Sequence, residues 1–431
     1  MTEVLGTALP EGWTASRLKR VTSLLNRGSA PDYVDDGPVR AISQAANQPG
    51  GLDWERTRFH DAIGDPLRLK GYLLPEDILI NSTGTGTLGR IGYFQGGPDE
   101  IPCMADTHVT VARAIPSDVD PRFLYYWLSS IPFQEYIYAA LVVGATNQIE
   151  LNRDRLGDAS VPLPPAEEQR RISRFLDVEV SRIDRMKGNL EALLKLLFER
   201  AAAVLDLAID ANISRFGTVP LRRFVAGVNQ GSSPQCESVP AAEGEWGVLK
   251  VSCLRPGKFY PGENKRLPIE QEFDPRDEVR QGDLLVTRAN TPALVGSTAV
   301  VPAVRKGLLL SDKIFRVRLD ARLDPHYVSA IASGSRVRGL CAAVANGASQ
   351  SMANLRFEEI KEWPVPLADG EAQKALVTQV AESRAHTATL RRSIEGQLKL
   401  LSERRRALIT AAVTGQIDVT TARGCEFRDS Q

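Results

Sequence analysis

Beyond residue 165, apolar residues recur at steps of three, four and seven: Ile172, Leu176, Ile183, Met186, Leu190, Leu194, Leu197, Ala201, Val204 and Ala208. A side chain every 3.5 residues keeps one face of an α-helix turned toward a partner, which is the seam of a coiled coil. The spacing returns 204 residues later as Leu376, Val380, Thr387, Leu390, Ile394, Leu398, Leu401, Arg405, Leu408 and Ala412, broken only at Thr387 and Arg405. No proline occurs between Ala166 and Phe216, nor from Leu367 onward. The run Val161-Pro162-Leu163-Pro164-Pro165 puts its last proline where a helix begins, a position that needs no N–H. The pattern predicts long helices over 166–212 and 369–414, each of roughly 45 residues and ~65 Å at 1.5 Å per residue, with a tail over 415–431.

The two helical stretches belong to a larger repeat. Leu18-Lys19-Arg20 and Gly28-Ser29-Ala30-Pro31 reappear as Leu221-Arg222-Arg223 and Gly231-Ser232-Ser233-Pro234 at a constant offset of 203. Glu76-Asp77-Ile78-Leu79-Ile80 returns as Gly282-Asp283-Leu284-Leu285-Val286, Asp120-Pro121 as Asp324-Pro325, and Val161-Pro162-Leu163 as Val365-Pro366-Leu367. Leu194-Lys195-Leu196-Leu197 is identical to Leu398-Lys399-Leu400-Leu401. The anchors keep their order, so the chain is a tandem duplication. Short β-type runs broken by Gly and Pro fill 1–165 and 213–368, the texture of mixed α/β domains. The expected fold is α+β: two mixed α/β domains joined by two long helices forming an antiparallel coiled coil, an internal pseudo-two-fold repeat. In that arrangement one globular head lies near each end of the helices. Arg405 then sits on the seam and needs a carboxylate opposite, Glu179 or Asp184.

Composition narrows the class without defining it. The 431 residues carry 53 Lys plus Arg against 53 Asp plus Glu, which excludes a uniformly basic nucleic-acid binder. No stretch approaches the ~18 apolar residues of a membrane span. The start, MTEVLGTALPEGW, shows no basic-then-apolar secretory pattern, and five scattered cysteines suit a reducing compartment; a cytoplasmic location is expected. The charge is not even along the chain. Residues 1–165 hold 14 basic and 20 acidic side chains, net −6, and residues 213–368 hold 21 and 16, net +5.

Two divergent heads on a rigid spacer suit the reading of two different half-sites on DNA, whose faces recur every 10–10.5 base pairs. With these features the chain resembles the specificity subunit of type I restriction–modification systems. The resemblance rests on Val161–Pro165 with Glu168-Gln169, on the run Glu403-Arg404-Arg405-Arg406-Ala407-Leu408-Ile409-Thr410-Ala411-Ala412-Val413-Thr414-Gly415-Gln416-Ile417-Asp418-Val419, on Pro75–Gly84, and on Gly144–Gln148. The second copy departs from the pattern: VPLADGEAQ lacks the double proline and has Ala372 in place of Glu168. The resemblance implies target-recognition domains over 1–165 and 213–368. It implies double-stranded DNA, two adenine-N6 methyltransferase subunits and two restriction/translocase subunits as partners. S-adenosylmethionine, and ATP with Mg, are then expected in those partners, with no cofactor, no metal and no catalytic residue in this chain. A related restriction class with a fused methylating and cleaving partner, and a coiled-coil adaptor that binds proteins, are the alternatives.

Amides, hydroxyls and basic groups read base edges or hold phosphates. In the first head the candidates are Arg27, Ser29, Asn81, Ser82, Thr83, Thr85, Arg90, Thr146, Asn147 and Gln148. In the second they are Gln230, Ser232, Ser233, Lys250, Ser252, Arg288, Asn290, Thr291, Ser349 and Gln350. Each also fits a solvated loop. Gly84-Thr85-Gly86-Thr87-Leu88-Gly89 spells G-x-G-x-x-G, but strand and turn residues follow it where a dinucleotide site needs a helix. Tyr125-Tyr126-Trp127 fits a helix packed on its sheet better than a base-stacking platform, and Asp106 with His108, and Asp312 in the position matching Asp106, read as strand-end or turn residues. An acidic first head cannot clamp phosphates by bulk charge, so the partner subunits are expected to supply most backbone contacts. The isolated chain is then expected to bind DNA weakly and with strong salt sensitivity.

Overall fold

The computed structural model describes residues 3–84, 86–143, 149–345 and 352–419. They form two compact units, one built from residues up to Glu191 together with those from Glu395 onward, the other from Ala192–Ile394. Each unit pairs a head with segments of both long helices.

In the first unit, β1 (Thr22–Arg27), β2 (Ile78–Asn81), β3 (Ile91–Tyr93) and β4 (Val109–Ala114) make an antiparallel sheet in the order β3-β2-β4-β1. All four residues of β2 are buried, as its unbroken apolar run requires of a central strand. Helix α1 (Pro121–Leu128) covers the sheet with Phe123, Leu124, Tyr126, Trp127 and Leu128, each 0% exposed. Asp120 caps it, its Oδ1 accepting the Phe123 N–H at 2.8 Å. The Trp127 indole donates to the Ser160 carbonyl at 3.2 Å, so these aromatics are core, as expected. A second small sheet is centred on Val39–Ile42, which pairs parallel with Cys103–Ala105 and antiparallel with Arg58–His60. Thr14–Arg17 lies antiparallel to Ser160–Leu163 and closes the head beneath the start of α2 (Ala166–Phe216).

The second unit repeats this plan. β5 (Val225–Gln230), β6 (Leu284–Thr287), β7 (Thr298–Val300) and β8 (Ile314–Leu319) pair in the order β7-β6-β8-β5. Helix α3 (Pro325–Ser333) covers them, capped by Asp324. Gly247–Leu249 is again parallel to one strand, Leu308–Leu309, and antiparallel to another, Asn264–Arg266. Irregularities recur as well. Ser23 is the extra residue of a bulge where β1 meets β4, and Ala226, 203 positions later, is the extra residue where β5 meets β8. A Cβ on Gly28 would lie 1.8 Å from the Ala105 carbonyl oxygen, and one on Gly231 would lie 2.2 Å from that of Leu310. No side chain fits at either place.

Helix α2 runs four residues past the expected boundary at 212. Nothing in its sequence stops it before Gly217, which takes a φ of 66° while its N–H closes on the Ile213 carbonyl at 2.8 Å. The partner helix α4 is Gly370–Val413. Every seam residue predicted on α2 is buried or half-buried; of those predicted on α4, Leu390 alone is exposed. The two helices pack antiparallel inside each unit. Met186, Asn189 and Leu190 face Gln397, Leu400 and Leu401 in the first, and Leu197, Ala201 and Val204 face Ser383, His386 and Thr387 in the second.

The Glu-Gln pair at the start of α2 works through its glutamine. Gln169 accepts the Asp120 N–H at 2.7 Å and donates to the Pro164 carbonyl at 2.9 Å. Gln373 does the same to the Asp324 N–H and the Ala368 carbonyl, both at 2.9 Å. The missing double proline of the second copy is replaced by an N-cap, with Asp369 Oδ1 accepting the Ala372 N–H at 2.9 Å.

Candidate nucleic-acid interface

In each head the ends of the central strands, the turn before the last strand of the main sheet and the loop after the first strand meet beside the small sheet. In the first head this place holds a hydrogen-bonded polar set. Thr83 Oγ1 donates to Gln44 Oε1 at 3.1 Å and lies 2.7 Å from His108 Nδ1. Thr87 Oγ1 donates to the same Gln44 oxygen at 3.3 Å. Gln44 and Thr83 are half-buried and His108 is exposed, so amide, hydroxyl and imidazole all reach the surface. Beside them Arg58 stacks on the Tyr33 ring at 3.8 Å. Beside that ring Asp106 is 2% exposed, and burial holds its carboxyl above the usual aspartate range.

Asn81 and Ser82 do not belong to this surface, contrary to expectation. Both are 0% exposed. Asn81 donates to the Gln44 carbonyl at 3.0 Å and accepts from Asn47 at 2.9 Å, while Ser82 Oγ and Thr110 Oγ1 are 2.5 Å apart. Their groups are used up inside the domain and drop out of the reading set. Arg90 is turned inward to the Asn47 carbonyl at 2.9 Å and Gln48 Oε1 at 3.1 Å, which orders the loop beneath Gln44. Arg27 pairs with Glu150 at 3.1 Å, and Ser29 donates to the Lys70 carbonyl at 2.9 Å. Thr85, Thr146, Asn147, Gln148, Ser349 and Gln350 lie outside the described residues. The glycine-rich run turns into strand β3, not a helix.

The second head presents other groups at the same place. The pairings that align His108 with Lys313 also align Asp106 with Ser311, Arg58 with Lys265 and Ser43 with Lys250, and the offset of 203 between Gly28 and Gly231 puts Cys236 at the place of Tyr33. Asp312, read from sequence as the counterpart of Asp106, stands one residue further on. Its carbonyl accepts Gln230 at 2.7 Å and Arg288 at 3.3 Å, and its carboxylate accepts Ser233. Lys250 pairs with Glu263 at 2.9 Å, and Ser252 donates to the same carboxylate at 2.5 Å. Ser232 and Thr291 are exposed. Asn290 is 8% exposed, its Oδ1 accepting the Thr291 N–H at 2.9 Å, so it shapes a loop.

That loop is anchored from behind. Arg338, in helix Ser335–Ala345, donates to the Val295 and Ala293 carbonyls, each at 2.7 Å. Gln134, 204 residues earlier, donates to the Gly89 carbonyl at 3.0 Å. Sequence reading missed Gln44, His108, Lys265, Lys313, Gln134 and Arg338. The signal for the last two is their shared offset from the repeat anchors.

Two copies of one frame thus carry different polar groups at the same place. Residues 10–195 match the family described as type I restriction modification DNA specificity domain. The chain is 22% identical over 434 aligned positions to the type I restriction enzyme EcoKI specificity subunit of Escherichia coli (strain K12), spanning 95% of this chain and 90% of that protein. It is 30% identical over 161 residues to the EcoEI specificity subunit of Escherichia coli, spanning 37% of this chain and 27% of that protein. A solved chain from a study of complex assembly and conformational transition of the type I restriction–modification system shares the fold. Its TM-score is 0.64 at 17% identity, over 95% of this chain and 100% of that one. Over residues 10–195 the chain is thus similar to a type I DNA specificity domain, and over most of its length to type I restriction enzyme specificity subunits.

Among the described residues, no helix is long and apolar enough to cross a membrane, and no group of three His, Cys, Asp or Glu side chains could hold a metal ion. Cys103, Cys236, Cys253 and Cys341 are free thiols, and Cys425 lies outside the described residues.

Proposed function

We propose that each head reads one half of an asymmetric, two-part DNA site, and that the chain performs no chemistry of its own. The long helices set the distance between the two halves and dock two adenine-N6 methyltransferase subunits. Two restriction/translocase subunits complete the cytoplasmic assembly. S-adenosylmethionine, and ATP with Mg, act in those partners.

The observation that supports this reading is the contrast between the heads. Main-sheet order, bulge and glycine contact recur. The surface beside them is Gln44, Thr83 and His108 in one head and Ser233, Lys250 and Lys313 in the other. Base edges are told apart by their donor and acceptor patterns, so different groups on one frame select different sequences.

The test is a methylome. The chain is co-expressed with its methyltransferase and N6-methyladenine is mapped by single-molecule sequencing. The expected result is one two-part motif with a fixed gap and one methylated adenine on each strand. Absence of methylation, from a partner shown to bind both the chain and S-adenosylmethionine, would sink the reading.

A further inference from the structure

The second head contains a cavity of about 450 Å³ between its small sheet and the turn before β8, lined by Lys250, Lys265, Lys313, Ser233, Ser252 and Ser311 among others. Three ammonium groups around one space repel one another unless an anion stands among them. Glu263 answers Lys250. Among the described residues, Lys265 and Lys313 have no carboxylate within ion-pair distance. Ser311 is 6% exposed, and its buried Oγ has no hydrogen-bond partner. A buried hydroxyl left unpaired is a cost that a bound acceptor removes.

The first head shows what is missing. There the counterpart of Lys265 is Arg58, stacked on Tyr33, with the buried Asp106 carboxylate near that ring. In the second head the ring has become Cys236, the carboxylate has become Ser311, and His108 has become Lys313. The substitutions exchange a ring for a thiol and a carboxylate for a hydroxyl, and add a lysine. We propose that this cavity takes a phosphate of the DNA backbone, held by Lys265 and Lys313 with the Ser311 hydroxyl as a donor. The proposal rests on the DNA-recognition reading and assigns the second head a backbone clamp that the first head lacks.

The test compares wild type with Lys265→Ala, Lys313→Ala, the double alanine variant and Lys265→Arg, each as the full chain with its methyltransferase. Binding to the duplex carrying the methylated motif and to a scrambled duplex is measured across a salt series. Thermal unfolding of each variant first establishes that it folds as wild type does. Each alanine should weaken binding to both duplexes by a similar factor and lower the slope of log K against log salt by about one, with about two for the double variant. Lys265→Arg should keep the slope. An unchanged slope, with wild type still binding its motif specifically, would overturn the phosphate assignment and leave the recognition role intact. A changed methylated base in one half of the motif at constant slope would also overturn it, since the cavity would then be reading a base. A wild-type complex that binds no DNA would overturn both.

Discussion

Arg405 donates from Nε to Oδ1 of Asp184 at 3.1 Å, filling the seam position where the apolar pattern of α4 breaks. The arginine side chain is 19% exposed and the aspartate 39%. A half-buried pair of this kind gives back in attraction much of what it loses in hydration, so the cost of altering it depends on which partner goes. Asp184→Ala leaves a partly desolvated guanidinium and should destabilise the first unit, by about 1–3 kcal/mol. Arg405→Leu restores the apolar seam and should be neutral or stabilising. Urea unfolding of the two variants decides; a larger loss from Arg405→Leu would contradict this account.

Gln169 ties its head to a long helix through two bonds and Gln373 through three, the third to the Arg322 carbonyl at 2.9 Å, and both are 4% exposed. Replacing either with leucine leaves a buried N–H and a buried carbonyl unpaired, at about 1–3 kcal/mol each. Both variants should show lowered midpoints in chemical denaturation. A variant that unfolds like wild type would show the bonds to be incidental.

Arg338 anchors the loop that carries Asn290 and Thr291 through the carbonyls of Ala293 and Val295. In Arg338→Ala, amide exchange in 291–295 should quicken by about tenfold, the equivalent of ~1.4 kcal/mol of lost hydrogen bonding to a charged group. The β6 amides should keep their protection. Unchanged exchange in the loop would mean that the arginine does not hold it.

Asp106 carries a pH prediction. Burial holds its carboxyl above the ordinary value of 3.8, so the folded chain binds this proton more tightly than the unfolded one. Its contribution is therefore most favourable below 3.8, is lost as pH rises through the folded value, and stays at a constant penalty above it. Asp106→Asn keeps an acceptor for the His108 N–H, found at 2.8 Å, and removes the charge. The variant should melt higher than wild type at neutral pH, with the gap closing in acid. Equal melting temperatures at neutral pH would refute the assignment.

The long helices and the duplication were legible in the sequence because each depends on spacing along the chain. The anion cavity was not. Lys250, Lys265 and Lys313 come from three segments that meet only when strand Asn264–Arg266 pairs beside Gly247–Leu249. Asn81 and Ser82 misled for a related reason. Sequence shows that they follow an apolar strand, but not that the loop carrying Gln44 and Asn47 closes over them. The counterpart of Asp106 was misplaced by one residue, since an offset drifting between 203 and 207 cannot be resolved inside a turn without strand pairing to fix it.

The glycine contact at 28 and 231 and the glutamine ties at 169 and 373 belong to the frame, while the polar groups that differ between the heads stand beside it. Folding and selectivity therefore draw on separate residues. A lineage can change Lys265, Lys313 or His108 without first finding a compensating mutation in the core. Its targets are free to drift quickly under selection, while the scaffold that presents them stands still.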